Sequence, residues 1–214
     1  LVLRNSGNDF GRMLFRDGYI QTVAASGMEI DHQAYEPTVV FMNGEYYAML
    51  GMRERTNKDF VYSNYGLKEE DFCINVISKT GSSECADFQL VKNIANNAYS
   101  ADAFNQIDEL IDVDEFLNYI MTEVYIFNKD WSDNNNKAWK RNEDGKWRWI
   151  LYDTEYSTSL YEENMTSDGF SNLANLSYLS QLIKNPEMSR RLMTKFVAHA
   201  GTTFDEVNTA SILD

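Results

Sequence analysis

The sequence predicts an α+β fold in which a lobe built on a small antiparallel sheet precedes a mainly helical one. Turn-punctuated, alternating segments crowd residues 1–83, among them a hairpin signal built on Asn43-Gly44. From residue 84 onward, apolar residues recur at helical spacing. With 214 residues, 43 % of them hydrophobic, 14 % aromatic and only two prolines, the chain is globular and can build a substantial core. Strands first and helices later is the order of an α+β domain rather than of an alternating one. A single domain, 1–214, is therefore expected, with 1–83 sheet-rich and 84–214 helical.

Residues 1–3 look like the end of a strand, and the chain opens on Leu1 without an initiator Met. It reads as part of a longer protein, with the N-terminal part of the fold and any export signal upstream. Residues 4–9 form a polar turn, where Arg4 and Asn5 could face an anion or simply sit at the surface. Asp9 is placed to cap the next helix, which is expected to bury Phe10, Met13, Leu14, Ile20 and Val23, with Gly18 as its weak point. The Asn43-Gly44 turn joins strands at 38–42 and 45–52. Glu54 and Arg55 end the second strand, Thr56 is the expected cap of a short helix, and Gly66 is its stop. A strand over 72–78 and a turn over 79–83 follow, in which Lys79 reads as a solvated turn lysine. Phe88, Val91, Ala95 and Ala98 mark a helical stripe. Ser100 starts a second helix, and Asp112 with Glu115 resembles a capping box for a third. That third helix should bury Phe116, Leu117, Ile120, Met121, Val124 and Phe127. After a polar loop at 162–169, long enough for a lid, two helices flank Pro186. The first uses Leu176, Leu179, Leu182 and Ile183, the second Leu192, Met193, Phe196 and Val197.

The net charge of −14 and the lack of a basic run exclude phosphate-backbone binding, so no nucleic-acid partner is expected. The same field favours a cationic protein substrate. Cys73 and Cys85, with two isolated histidines, are too few for a zinc site. They could close one short disulfide loop or be buried thiols. No run is long enough to span a membrane.

Residues 128–157 organise the rest: NKDWSDNNNKAWKRNEDGKWRWILYDTEYS. A polar cluster leads into a hairpin, with Asp144-Gly145 supplying the turn's positive φ, and the second arm runs through Trp147, Trp149, Ile150 and Leu151. Short arms bring their ends together, so Asp130 and Asn135 should lie near Asp153 and Glu155. Such a group of carboxylates and amides calls for a positive partner, and a divalent cation is the obvious one. Protein kinases place a catalytic Asp, an Asn five residues later, a hairpin and a metal-binding Asp in this order. Asp130, Asn135 and Asp153 repeat that spacing. The segment from Asp130 lacks the alternating ligands and sixth-position Gly of an EF-hand. Trp139, Trp147 and Trp149 could bind a sugar but fit a core better.

The stretch resembles the spore coat protein H (CotH) kinase family, atypical secretory-pathway kinases. The similar residues are Asp130-Trp131, Asn134-Asn135, the run at 145–149, and Tyr152-Asp153-Thr154-Glu155. Leu3-Arg4-Asn5-Ser6-Gly7-Asn8-Asp9, Asn43-Gly44-Glu45-Tyr46-Tyr47, and Glu54-Arg55 with Asp59-Phe60 also look like that family. The family's second acidic motif usually reads Asp-x-Asp, where this chain has Glu155. The resemblance implies a protein-kinase-like fold and an ATP-dependent phosphotransferase using Mg²⁺ or Mn²⁺. It would act on Ser or Thr of secreted or surface proteins of a bacterium, with a basic, Ser-rich segment as the suited substrate. Asp130 would act on the acceptor hydroxyl, and Asn135, Asp153 and Glu155 would hold metal. Arg4 and Glu54 are nucleotide-side candidates, with an ordinary surface ion pair as the alternative for Glu54, while Asn128 and Asn134 support the loop. The alternative is a non-catalytic kinase-like domain serving as a surface binding module. In the blandest reading, these acids are solvated turn residues.

Overall fold

The computed structural model describes residues 1–78, 82–100, 102–131, 134–143, 145–158, 160, 169–174 and 177–213. It is a mixed α/β structure with two small sheets. The first is antiparallel, in the order β1 (Val2–Arg4), β4 (Glu45–Arg53), β3 (Tyr35–Met42). Asn43 and Gly44 both take left-handed backbone, with φ of 54° and 85°, and Met42 pairs with Glu45. That is the two-residue hairpin expected of an Asn-Gly turn. The second sheet runs β2 (Asp31–His32), β7 (Arg148–Leu151), β6 (Asn136–Arg141), β5 (Phe72–Ile77). Its β2–β7 pairing is parallel, unlike the antiparallel pairing expected of the sheet. The two-residue strand β2 arises where the chain leaves α1 (Arg16–Gly27) and slots beside β7.

The helices between and after these strands are α2 (Lys58–Tyr65), α3 (Phe88–Ala95), α4 (Ala103–Leu110) and α5 (Val113–Tyr125), then α6 (Gly169–Ala174), α7 (Ser177–Ile183), α8 (Pro186–Ala200) and α9 (Glu206–Ser211). Of these, α5 is the spine: eleven of its thirteen residues are buried, and it packs against β7, α6 and α8. A helix buried nearly all round must be covered on every side, and here sheet and helices do so. Trp147 and Trp149 are fully buried against Phe88 and Phe116, so the hairpin tryptophans are core. Trp139 lies in a second cluster with Phe60, Phe72 and Ile150 and donates its Nε1–H to Asp31 at 2.8 Å.

Several local expectations change. α1 begins at Arg16, not directly after Asp9, and Phe10 and Met13 are exposed. Asp9 nevertheless serves that helix from a distance. Its buried carboxylate accepts the Met13 and Arg16 backbone N–H groups and pairs with the Arg16 side chain. Gly18 is no weak point: a Cβ there would lie 2.3 Å from the Tyr35 ring, so the glycine admits close helix–strand packing. Asn57, not Thr56, caps α2, while the Thr56 hydroxyl receives Lys137 Nζ at 2.7 Å. Asp112 caps α5, but Glu115 does not complete a capping box. Its Oε2 accepts the Trp149 backbone N–H at 2.9 Å instead, fastening α5 to β7. Gly145 has no positive φ; a Cβ there would meet the Arg141 backbone nitrogen at 2.5 Å. α6 and α9 were not foreseen, and Met193 and Val197 of α8 face outward. Lys79, Asp144, Leu176 and all but the end of the polar loop at 162–169 lie outside the described residues.

Cys73 of β5 and Cys85, just before α3, form a disulfide with a Cα–Cα distance of 6.2 Å. It staples the edge strand of the second sheet to the helical part. Closing a loop of 12-residue separation is worth about 3 kcal/mol on the chain-entropy account. The Cys73→Ala/Cys85→Ala double variant should therefore melt roughly 6–12 °C lower by calorimetry, at 2–4 °C per kcal/mol for a chain of this size. A shift under about 2 °C would show that the bridge adds little.

Candidate active site

The β6–β7 hairpin has a polar group at each end, and the backbone ties those ends together. Lys129 N–H donates to the Tyr156 carbonyl at 3.0 Å, and Thr158 N–H to the Ile126 carbonyl at 2.7 Å. At the entry, the Asp130 carboxylate accepts from Asn134 Nδ2 at 2.9 Å and from Asn135 Nδ2 at 3.3 Å. At the exit, Asp153 and Glu155 share the guanidinium of Arg4, which arrives from β1 in the other sheet. The Asn8 backbone N–H donates to Glu155 Oε1 at 3.0 Å. Gly7 lies so close that a Cβ would be 1.9 Å from that oxygen, and its φ of 45° favours glycine.

Asn135 and Asp153 both hold left-handed backbone, with φ of 50° and 59°. Asn and Asp tolerate that region best among residues with a Cβ, yet it carries strain that clusters at functional sites. Sidedness follows: each polar cluster begins where the strand ladder stops.

The sequence reading missed the floor of this site. Asp17, from the first turn of α1, is 1 % exposed. Its Oδ1 accepts the Thr154 backbone N–H and hydroxyl, each at 2.7 Å, and Gln21 Nε2 at the same distance. Its Oδ2 pairs with Arg53, equally buried at the end of β4. Thr154 is thus held between the two residues whose carboxylates face Arg4. Carboxylate oxygens of Asp17, Asp153 and Glu155 lie within 4.8 Å of one another.

Tyr152 directly precedes Asp153 in the chain. Burial raises its pKa, and the fields of Asp153, Glu123 and Asp130 raise it further. Lys137 of β6 sits 4.4 Å over the Tyr152 ring; burial lowers its pKa, with Asp153 opposing. Burial disfavours charge on Arg4, but Asp153 and Glu155 outweigh it and hold its pKa above the ordinary value. Glu155 is pushed upward, first by burial and then by Asp153, with Arg4 opposing. Arg53 is pushed down to about 10, mainly by burial and then by Arg4, and so keeps its charge at neutral pH. Glu54, by contrast, serves the β4–α2 junction: its carboxylate accepts the Ala34 N–H at 3.0 Å and Asn64 Nδ2 at 3.1 Å.

This donor set suits a hard divalent cation, which takes one or two carboxylates and completes its shell with water and phosphate oxygens. Glu155 Oε2 is buried and lies 2.8 Å from Arg4 but lacks an aligned hydrogen-bond donor among the described residues. A positive charge is already stabilised there, and the Asp153 side chain, 24 % exposed, leaves the pair open to solvent.

The family model for CotH kinase protein matches residues 1–214, the whole chain. The chain belongs to the CotH kinase family. No curated protein matches it. Membership makes this a kinase-related protein, and of the CotH residues quoted from the sequence Asp130-Trp131, Asn134-Asn135 and Tyr152-Asp153-Thr154-Glu155 flank the β6–β7 hairpin. Among the described residues, no helix is long and apolar enough to cross a membrane.

Proposed function

We propose that this protein is an ATP- and divalent-cation-dependent phosphotransferase of protein-kinase-like fold, acting on Ser or Thr hydroxyls of secreted or surface proteins. The observation that carries the reading is the meeting of Asp130 with Asn135 at one end of the hairpin and of Asp153 with Glu155 at the other. Asp130 would orient the acceptor hydroxyl and take its proton as the oxygen attacks. Asn134 and Asn135 hold the Asp130 carboxylate by two hydrogen bonds, which fixes its direction. Asn135, Asp153 and Glu155 would hold Mg²⁺ or Mn²⁺, which when bound neutralises phosphate charge. Arg4 is suited to phosphate oxygens by its planar, always-charged fork. Glu54 would act on the nucleotide side with its carboxylate already holding Asn64 and the Ala34 N–H. The net charge of −14 favours a basic, Ser-containing protein segment as substrate. The Cys73–Cys85 bridge fits an oxidising compartment, hence export from a bacterium.

One observation favours a second reading, a non-catalytic kinase-like binding module: Arg4 already neutralises Asp153 and Glu155 from within the chain. Phosphotransfer from ATP to a basic serine peptide, with Mg²⁺, with Mn²⁺ and with neither, separates the two. The phosphotransferase reading expects metal-dependent transfer. It also expects roughly 2.7 kcal/mol of added stability at a hundredfold excess of metal–nucleotide over its Kd. An unmoved melting curve and no transfer would favour the binding module.

A further inference from the structure

Two side chains of α5, one turn apart and therefore on one face, reach the loop that carries Asp130. Glu123, 1 % exposed, accepts a hydrogen bond at its Oε2 from Asn128 Nδ2 at 2.9 Å. Asn128 is equally buried, and its Oδ1 accepts the Asp130 backbone N–H at 3.1 Å. The Asn128 backbone N–H donates in turn to the Glu123 carbonyl at 3.1 Å. On the other side of Asp130, Trp131 Nε1–H donates to the Tyr119 hydroxyl oxygen at 2.6 Å, with both rings buried. Phe127, just before the loop, has a φ of 53°, a backbone state that a bulky residue keeps only when its surroundings impose it.

We propose that Glu123, acting through Asn128, is a positioning residue for Asp130, and that Glu123 and Tyr119 clamp the loop on both sides of it. The inference deepens the phosphotransferase reading and rests on it for the role of Asp130. The clamp itself stands on geometry alone. Asp130 is a half-buried loop residue whose backbone N–H is held by a side chain, and that side chain is held by a helix. A base on a loop gains precision only when rigid elements lock it. Burial pushes Glu123 up to about 8, with the Asn128 hydrogen bond opposing, so a neutral amide is a fair mimic of the side chain at neutral pH. Its other oxygen, Oε1, is buried with no hydrogen-bond partner among the described residues. A residue kept polar at that position for packing alone would be better replaced by Met or Leu.

The test compares Glu123→Met, Glu123→Gln and Asn128→Ala on the intact chain, with two readouts. In the first, hydrogen exchange, Asp130 amide protection should fall at least about tenfold in Glu123→Met and Asn128→Ala, and hold in Glu123→Gln. In the second, phosphotransfer, Glu123→Met should lower kcat by about 10- to 100-fold while KM for ATP stays within about twofold, and Glu123→Gln should restore most of the turnover. If Glu123→Met does not fold, Asn128→Ala decides, since it breaks both bonds with the smaller change. Unchanged Asp130 protection in the variants would overturn the inference. So would protection lost along the whole of α5, or a Glu123→Gln as damaging as Glu123→Met. Wild-type protein with the expected exchange pattern but no transfer would instead overturn the phosphotransferase reading and leave the clamp standing.

Discussion

Asp153→Ala is expected to abolish metal–nucleotide binding and transfer together, whereas Asp130→Ala is expected to lower kcat about 10²- to 10⁴-fold and leave ATP affinity within about twofold. The difference follows from when each carboxylate acts. A residue that holds the cation is used as soon as nucleotide binds; one that takes the acceptor proton is used chiefly in the transition state. Steady-state kinetics with direct ATP titration of both variants makes the comparison. Equal loss of binding in the two would show that the roles are assigned wrongly. The effect on folding should be small for Asp153→Ala, within about 1 kcal/mol, because the Arg4–Asp153 pair is partly open to solvent and Glu155 remains to neutralise Arg4. Without Arg4, crowded carboxylates would repel and their removal would stabilise. The arginine takes that effect away.

The largest loss of stability is expected from Arg53→Met, about 3–5 kcal/mol. Arg53 and Asp17 are each 1 % exposed and pair with one another. Removing the guanidinium strands the Asp17 carboxylate, which also holds Thr154 by backbone and hydroxyl. Methionine keeps most of the volume, so the loss is charge rather than cavity. A denaturant midpoint shifted at unchanged slope would report it, as would a melting temperature lower by roughly 6–20 °C. If Arg53→Met cost less than about 1 kcal/mol, the pair would not be the buried support described here.

What the sequence made legible was local or motif-borne. The Asn43-Gly44 hairpin, the stripe from Phe88 and the long buried helix α5 all follow from periods of two and 3.6 that need no distant partner. The order Asp130, Asn135, hairpin, Asp153 put the two polar clusters on the page because a hairpin fixes what lies beside what. The missing pieces are long-range. Asp17 and Thr154 are 137 positions apart, and nothing within α1 says that Thr154 will hang from it. A weak signal was present: Asp17 and Gln21, one turn apart, interleave with Ile20 and Ala24 on the buried side of α1. Polar residues on a buried face need partners and point to a network. Glu123 carried the same signal within α5, amid Ile120, Met121 and Val124, and was passed over as part of an apolar run. Glu115 stands where a capping box with Asp112 would use it; the strand amide of Trp149 takes it instead. Local rules name the candidates, and the tertiary fold chooses among competing partners.

On the proposed function, Asp153 and Glu155, now bridged by Arg4, form the cation site of a phosphotransferase. Titration of Mn²⁺ into the protein with and without ATP, followed by the Mn²⁺ electron paramagnetic resonance signal, tests it most directly. The account predicts saturable, ATP-dependent Mn²⁺ binding in the wild type, retained in Asp130→Ala and lost in Asp153→Ala. No ATP-dependent binding in the wild type, or binding that survives in Asp153→Ala, would contradict it.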